Sequence, residues 1–195
     1  LAAYLGLREE MAEITARSMA GELEFEDSLR TRVAWLRDLP LERLEEAAER
    51  MTFMPGAREL IATLRAKGCV TALVSGGFTC FAELVAEACG FDRVQANRLI
   101  DSGGRLTGEV AEPNLGRDAK LTALRATAAE IGCGPEACAA VGDGANDLAM
   151  LGAAGLGVAF RAKPKVREAA RFRIDHGDLT ALLYLQGIPE SDFAA

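Results

Sequence analysis

The 195-residue sequence contains one histidine, His176. Read as a loop residue, it cannot form a histidine zinc cluster and is set aside as the centre of a catalytic triad. The five cysteines, Cys69, Cys80, Cys89, Cys133 and Cys138, include no Cys-x-x-Cys pair. They read as reduced core cysteines of a cytoplasmic protein. No apolar run approaches the length of a membrane span, and no signal peptide is read. There is no unbroken basic run, and 22 basic against 29 acidic residues leave a net charge of −7. That balance argues against nucleic acid or an anionic membrane as a partner. Gly142-x-Gly144 lacks a third glycine at dinucleotide spacing, which argues against a nicotinamide site. No internal repeat or low-complexity stretch is found.

Half of the residues are hydrophobic, enough for a real core. The length suits one domain, or one with a modest insertion. Residues 1–52 read as helices only. Leu1, Leu5, Met11, Ile14 and Met19 make one apolar face, broken at Gly21. Phe25, Leu29, Val33 and Leu36 make a second, and a third run follows Pro40 with Leu41, Leu44 and Ala48. The charge run from Glu42 to Arg50 is a solvated face. Pro55-Gly56 marks a boundary, after which strands and helices alternate. We expect a helix over 58–67 closed by Gly68, a buried strand over 69–74, a glycine turn, and a helix over 78–89 closed by Gly90. A hairpin is expected over about 94–110, a helix over 117–131, and a buried strand from Ala139 to Gly142. A strand over 156–160, a helix over 164–170, a strand over 172–174 and a helix from Asp178 to Leu185 complete the chain. The pattern predicts a doubly wound, Rossmann-like parallel sheet: a helical cap over 1–52 and a core over 53–195.

The chemistry concentrates at Gly142-Asp143-Gly144-Ala145-Asn146-Asp147. An apolar run ends there in two carboxylates and an amide, and a helical pattern follows. Ligands of open α/β sheets collect at the carboxyl ends of strands. Hard oxygens beside glycine-freed amides suit Mg²⁺ and a phosphate. Three further features fit such a site, each with a plainer reading. Ser75-Gly76-Gly77 suits phosphate oxygens, or is an ordinary serine-capped turn. Lys120 has no acid three or four positions away, and is otherwise a solvated lysine. Arg32 likewise has no carboxylate on its own helix. It either snorkels or forks onto a carboxylate from elsewhere. Trp35 reads as packing.

Taken together, these residues resemble haloacid dehalogenase-type phosphatases, and within them the bacterial phosphoserine phosphatases. Ser75-Gly76-Gly77-Phe78, Lys120 and Gly142 to Asp147 look like the second, third and fourth motifs of that family. The stretch from Ser18 to Val33 resembles the branch's cap. Thr107-Gly108-Glu109-Val110 and Ala162-Lys163-Pro164-Lys165 also match. The resemblance implies Mg²⁺-dependent hydrolysis of a phosphomonoester, O-phosphoserine, through a phospho-aspartate. It implies that Asp143 is a metal ligand and that Asp147 supports the metal shell. Ser75 and the Gly76 amide would hold phosphate oxygens, and Lys120 would neutralise charge. Asn146 would touch the phosphate side. Arg32 would grip the substrate carboxylate, with Met19 and Phe25 as an apolar wall.

One element of the family pattern is missing. The nucleophile and its acid/base partner belong to an Asp-x-Asp-x-Thr motif on the first strand, and the sequence has none. We therefore expect a lost N-terminal strand, an inactive chain as given, and marginal stability from the gap in its sheet. The alternatives are a phosphatase or phosphotransferase acting on another small phosphate, and an inactive protein that binds a metal or a partner. A receiver-type signalling domain is disfavoured by the helical segment and the hairpin.

Overall fold

Helices occupy the first fifty residues, as the apolar spacing requires: α1 (Ala2–Leu5), α2 (Arg8–Ala20), α3 (Phe25–Ala34) and α4 (Glu42–Glu49). The computed structural model describes residues 1–20, 22–116 and 118–194, without the side chains of Ala2, Ala3 and Met19. The expected break at Gly21 and helix start at Arg117 lie outside the described residues. After α5 (Ala57–Ala66) come β1 (Ala72–Phe78), α6 (Thr79–Cys89), β2 (Arg93–Asn97), β3 (Leu99–Ser102) and β4 (Arg105–Val110). Then follow α7 (Ala119–Glu130), β5 (Ala139–Gly142), α8 (Leu148–Ala153), β6 (Leu156–Phe160), α9 (Pro164–Ala169), β7 (Phe172–Ile174) and α10 (Ala181–Leu185).

Contacts divide the chain into two compact units, Leu1–Arg43 with Leu99–Asp175, and Leu44–Arg98 with His176–Ala195. The expected boundary at 52/53 follows element type, and the contact division cuts across it.

In the first unit, β5, β6 and β7 form a parallel sheet in that order. β6 is its centre, and Val158 and Ala159 are fully buried there. Among the described residues β5 pairs with β6 alone. An apolar run therefore does not make β5 a buried strand: Ala140 is buried, but Ala139 and Val141 are exposed. Met150 and Leu151 of α8 pack with Ala140, Ala159, Ala162 and Val166 into one core. Of the expected stripe, Leu29 and Val33 on α3 and Leu36 just beyond it are at 2% exposure or less, and Phe25 is half-buried. α3 packs on β4. The backbone of 38–41 extends this pairing, since Asp38 N donates to Leu106 O and Leu106 N to Leu39 O, both at 2.9 Å.

The antiparallel hairpin is β3–β4, so it spans 99–110 rather than 94–110. Residues 93–97 instead form β2, which pairs parallel to β1 in the second unit. The apolar pattern runs on without a gap, and only the partner strand separates the two. The parallel strands thus fall into a sheet of two and a sheet of three.

β1 also differs from its expectation. It starts at Ala72, leaves Cys69 and Val70 exposed, and runs on through Ser75, Gly76 and Gly77. Those residues are a register shift inside the strand, between Val74 and Phe78, rather than a turn after it. Parallel pairing with β2 resumes at Phe78 and carries the glycines along. Gly90, at φ +80°, closes α6 in the left-handed conformation that glycine adopts without steric cost. Leu60, Ile61, Ala82, Ala86, Cys89, Leu182 and Leu183 are the buried apolar residues of this unit. Of the five cysteines, all free thiols, only Cys89 is buried. α10 begins three residues later than expected. Its N-cap is Thr180 rather than the expected Asp178, whose Oδ1 accepts from Thr180 N at 2.9 Å just ahead of the helix.

Candidate active site

β5 delivers its C-terminal end to a tight loop because Gly142 and Gly144 flank Asp143. The loop closes through a 3-10 turn, Ala145–Asp147, which leads into α8. Asp147 folds back under it. Its Oδ2 accepts the backbone N–H of Asp143 and of Gly144, each at 2.9 Å. Its Oδ1 accepts from Lys120 Nζ in a short contact. Asp147 is 1% exposed. A carboxylate this buried needs compensation, and three donors, one of them cationic, supply it. The approach is close: a Cβ on Gly142 would lie 2.4 Å from the Asp147 Cβ. Glycine is therefore required at 142 by proximity, not by φ.

Lys120 stands in the first turn of α7. Its lack of a partner on its own helix is made good by Asp147, 27 residues on. Asp143 is exposed as a residue, yet its carboxyl is crowded enough to lose water. That desolvation raises its pKa above the ordinary aspartate value, and the Asp147 carboxylate raises it further; Lys120 and Lys163 pull it back. Lys163 also binds the loop through its backbone, donating its N–H to Asp143 O at 3.0 Å. Asn146 is half-buried in the 3-10 turn, and its side chain makes no hydrogen bond among the described residues.

Residues 1–43 of the cap segment belong to the same unit. α2 packs against the 145–147 turn. Arg32 on α3 is half-buried, and its Nε donates to Ser28 O at 3.1 Å. Among the described residues its guanidinium has no ion-pair partner. Burial lowers its pKa from a value high enough that it stays charged. Phe25, at the start of α3, is half-buried. The Met19 side chain lies outside the described residues.

Ser75 and Gly76 belong to the other unit, in the irregular part of β1. Ser75 Oγ accepts the N–H of Gly77 at 3.0 Å. Asn97, buried at the end of β2, donates from Nδ2 to Gly76 O at 3.1 Å. The sequence reading assigns no role to Asn97, names Lys163 only within the matching stretch Ala162 to Lys165, and does not show the closeness of Gly142 to Asp147. For Asn97 a signal existed, because asparagine is depleted in strands and needs a reason to be there.

The chemistry of the donor set bears on a metal. Both oxygens of Asp147 are engaged, which leaves the carboxylate of the exposed Asp143 as the free carboxylate ligand of this loop. Among the described residues no three His, Cys, Asp or Glu side chains cluster as a metal site. That fits Mg²⁺, which typically takes one or two carboxylates and completes its shell with water and substrate phosphate.

Comparison with known proteins gives a concordant picture. Residues 2–152 match the model of the haloacid dehalogenase-like hydrolases. A phosphoserine phosphatase of Streptomyces coelicolor is 46% identical over 194 residues, covering 100% of this chain and 47% of the relative. One from Methanocaldococcus jannaschii is 44% identical over 183 residues, covering 94% of this chain and 87% of the relative. The chain thus spans about half the length of the first and most of the second. A solved structure of a substrate-bound phosphoserine phosphatase superposes with a TM-score of 0.90 at 44% identity, covering 96% of this chain and 89% of that one.

Proposed function

Because this chain belongs to the haloacid dehalogenase-like hydrolase family, we propose that it serves Mg²⁺-dependent hydrolysis of O-phosphoserine to serine and phosphate, the last step of serine biosynthesis. The observation that carries the reading is the Asp147 clamp: one buried carboxylate fixes the Lys120 ammonium and the Asp143–Gly144 amides, and Asp143 stays exposed.

Phosphoryl transfer needs positioning and charge neutralisation more than covalent assistance. Asp143 is the proposed metal ligand, and a bound Mg²⁺ would neutralise phosphate oxygens. Lys120 adds a fixed cation, and Asp147 holds it in one place. Ser75 and the Gly76 amide are proposed to hold phosphate oxygens, with Asn146 on the phosphate side. In the cap, Arg32 is the proposed reader of the substrate carboxylate, supported by its half-buried position and by the lack of an ion-pair partner among the described residues. Phe25 and Met19 are the proposed apolar wall that excludes water. The substrate is a small phosphomonoester, the setting cytoplasmic, and neither nucleic acid nor membrane is a partner.

The test is phosphate release from O-phosphoserine by the natural protein, with and without Mg²⁺, against a panel of other phosphomonoesters and with an acceptor alcohol. O-Phosphoserine should be preferred, with water as acceptor. Arg32→Ala should raise KM for O-phosphoserine about tenfold or more, as loss of a charged hydrogen bond does, and should leave a substrate without a carboxylate nearly unchanged. Equal losses on both substrates would remove Arg32 from carboxylate recognition. A second reading applies to the chain taken alone. With no Asp-x-Asp-x-Thr in its sequence, it would bind phosphate and metal without turning over.

A further inference from the structure

Asn97 ends β2 at 2% exposure. A buried amide must find partners for its donors and its acceptor. A carbonyl can only accept, so the Nδ2 end of Asn97 must face Gly76 O, 3.1 Å away. The other half of the same peptide group, the N–H of Gly77, donates to Ser75 Oγ at 3.0 Å. The Gly76–Gly77 peptide is therefore gripped at both ends by side chains. It needs the grip. Two consecutive glycines have the widest backbone freedom, and here the strand register breaks between Val74 and Phe78.

The geometry points to Asn97 as a positioning residue for phosphate recognition, acting through Gly76 rather than on the substrate. The inference rests on the reading of Ser75 and the Gly76 amide as phosphate-holding. A serine hydroxyl has one proton and two lone pairs. Once Ser75 Oγ accepts from Gly77, its proton is directed elsewhere, where an anion oxygen can accept it. If the Gly76–Gly77 peptide rotates, Gly77 N–H leaves the hydroxyl and the Ser75 proton loses its fixed direction. Asn97 prevents that rotation by holding the carbonyl. One asparagine on the neighbouring strand thus sets the aim of the Ser75 hydroxyl.

The experiment uses the natural protein, with inorganic phosphate as a competitive inhibitor of O-phosphoserine hydrolysis and amide hydrogen exchange at Gly77. The variants are Ser75→Ala, Asn97→Ala, Asn97→Asp and the double variant Ser75→Ala/Asn97→Ala. Asn97→Asp keeps the shape but sets an acceptor against the Gly76 carbonyl. Each Asn97 variant should weaken phosphate binding about tenfold, one hydrogen bond's worth, and speed exchange of the Gly77 amide by a similar factor. The double variant should be little worse than the worse single one, because both act on one unit. If Asn97→Asp does not fold, Asn97→Ala carries the measurement. Phosphate affinity and Gly77 protection unchanged in a folded Asn97 variant would overturn the inference while leaving Ser75 in place. Unchanged phosphate affinity in Ser75→Ala would overturn the underlying phosphate reading, and the inference with it, whatever the amide exchange shows.

Discussion

The loop after β5 and the glycine stretch of β1 both hold backbone amides in a fixed direction, by opposite means. After β5 the holder is a buried carboxylate, gripping two amides and a lysine. In β1 the holders are a neutral hydroxyl and a neutral amide. A charge out of water is stable only while all its partners remain, so the first arrangement is stiff and brittle. Neutral hydrogen bonds exchange with water at little net cost, so the second is graded. The difference predicts how each region fails.

The largest effect should come from breaking the charged clamp. Lys120→Met strands the Asp147 carboxylate and should lower stability by about 3–5 kcal/mol, as loss of one partner of a buried ion pair does. Ser75→Ala should cost only about 1 kcal/mol, as for a neutral hydrogen bond. Urea unfolding measures both. The double variant Lys120→Met/Asp147→Asn should recover a large part of the loss. If Lys120→Met costs no more than Ser75→Ala, the contrast between the two regions is wrong.

A smaller effect of opposite sign is expected at Asp143. Its pKa is raised on folding. Its contribution to stability is therefore full below the unfolded value, about 3.9, and is lost as pH rises through the higher folded value. At pH 7 the ionised group works against folding. Asp143→Asn should then raise the melting temperature of the metal-free protein slightly, and remove any stabilisation by Mg²⁺. Lower stability in that variant, or an unchanged response to Mg²⁺, would contradict the role proposed for this carboxylate.

The smallest effect belongs to the second unit, where carboxylate chemistry is again cooperative but solvated. Asp92 Oδ2 accepts from Thr71 N and Thr71 Oγ1, both at 2.8 Å, and Oδ1 accepts from Arg65 Nε at 3.1 Å. The Thr71 hydrogen bonds first, and Arg65 after them, hold its pKa below the ordinary aspartate value. Its stabilising contribution is present above the unfolded value, about 3.9, and fades as pH falls through the folded one. Asp92→Asn should flatten the acid limb of the stability curve below about pH 4 and lower stability slightly at neutrality, where the ionised group contributes. An acid limb identical to the parent's would show that Asp92 is not the group that titrates.

How much of this was readable in advance depends on the range of the interaction. Asp143, Gly144 and Asp147 were legible because an apolar strand running into acids and glycines is a local pattern. The α3 stripe was legible for the same reason, since period and burial coincide at Leu29, Val33 and Leu36. The hairpin was drawn too long because residues 93–97 share its alternation and differ only in which strand they meet. Ser75 to Gly77 read as a turn because glycines usually break strands, whereas parallel pairing with β2 resumes at Phe78.

What the sequence alone determined is the alternation of elements, the apolar faces, and the residue types that can hold phosphate and metal, all written in neighbours a few positions apart. Only the tertiary structure decided that Lys120 meets Asp147, that Asn97 grips Gly76, and that β5 stands at the edge of its sheet. Those pairings join residues 21 and 27 positions apart, or depend on which strand lies alongside. Helical and strand periodicities carry no information at that distance, because contact there is set by how whole elements pack.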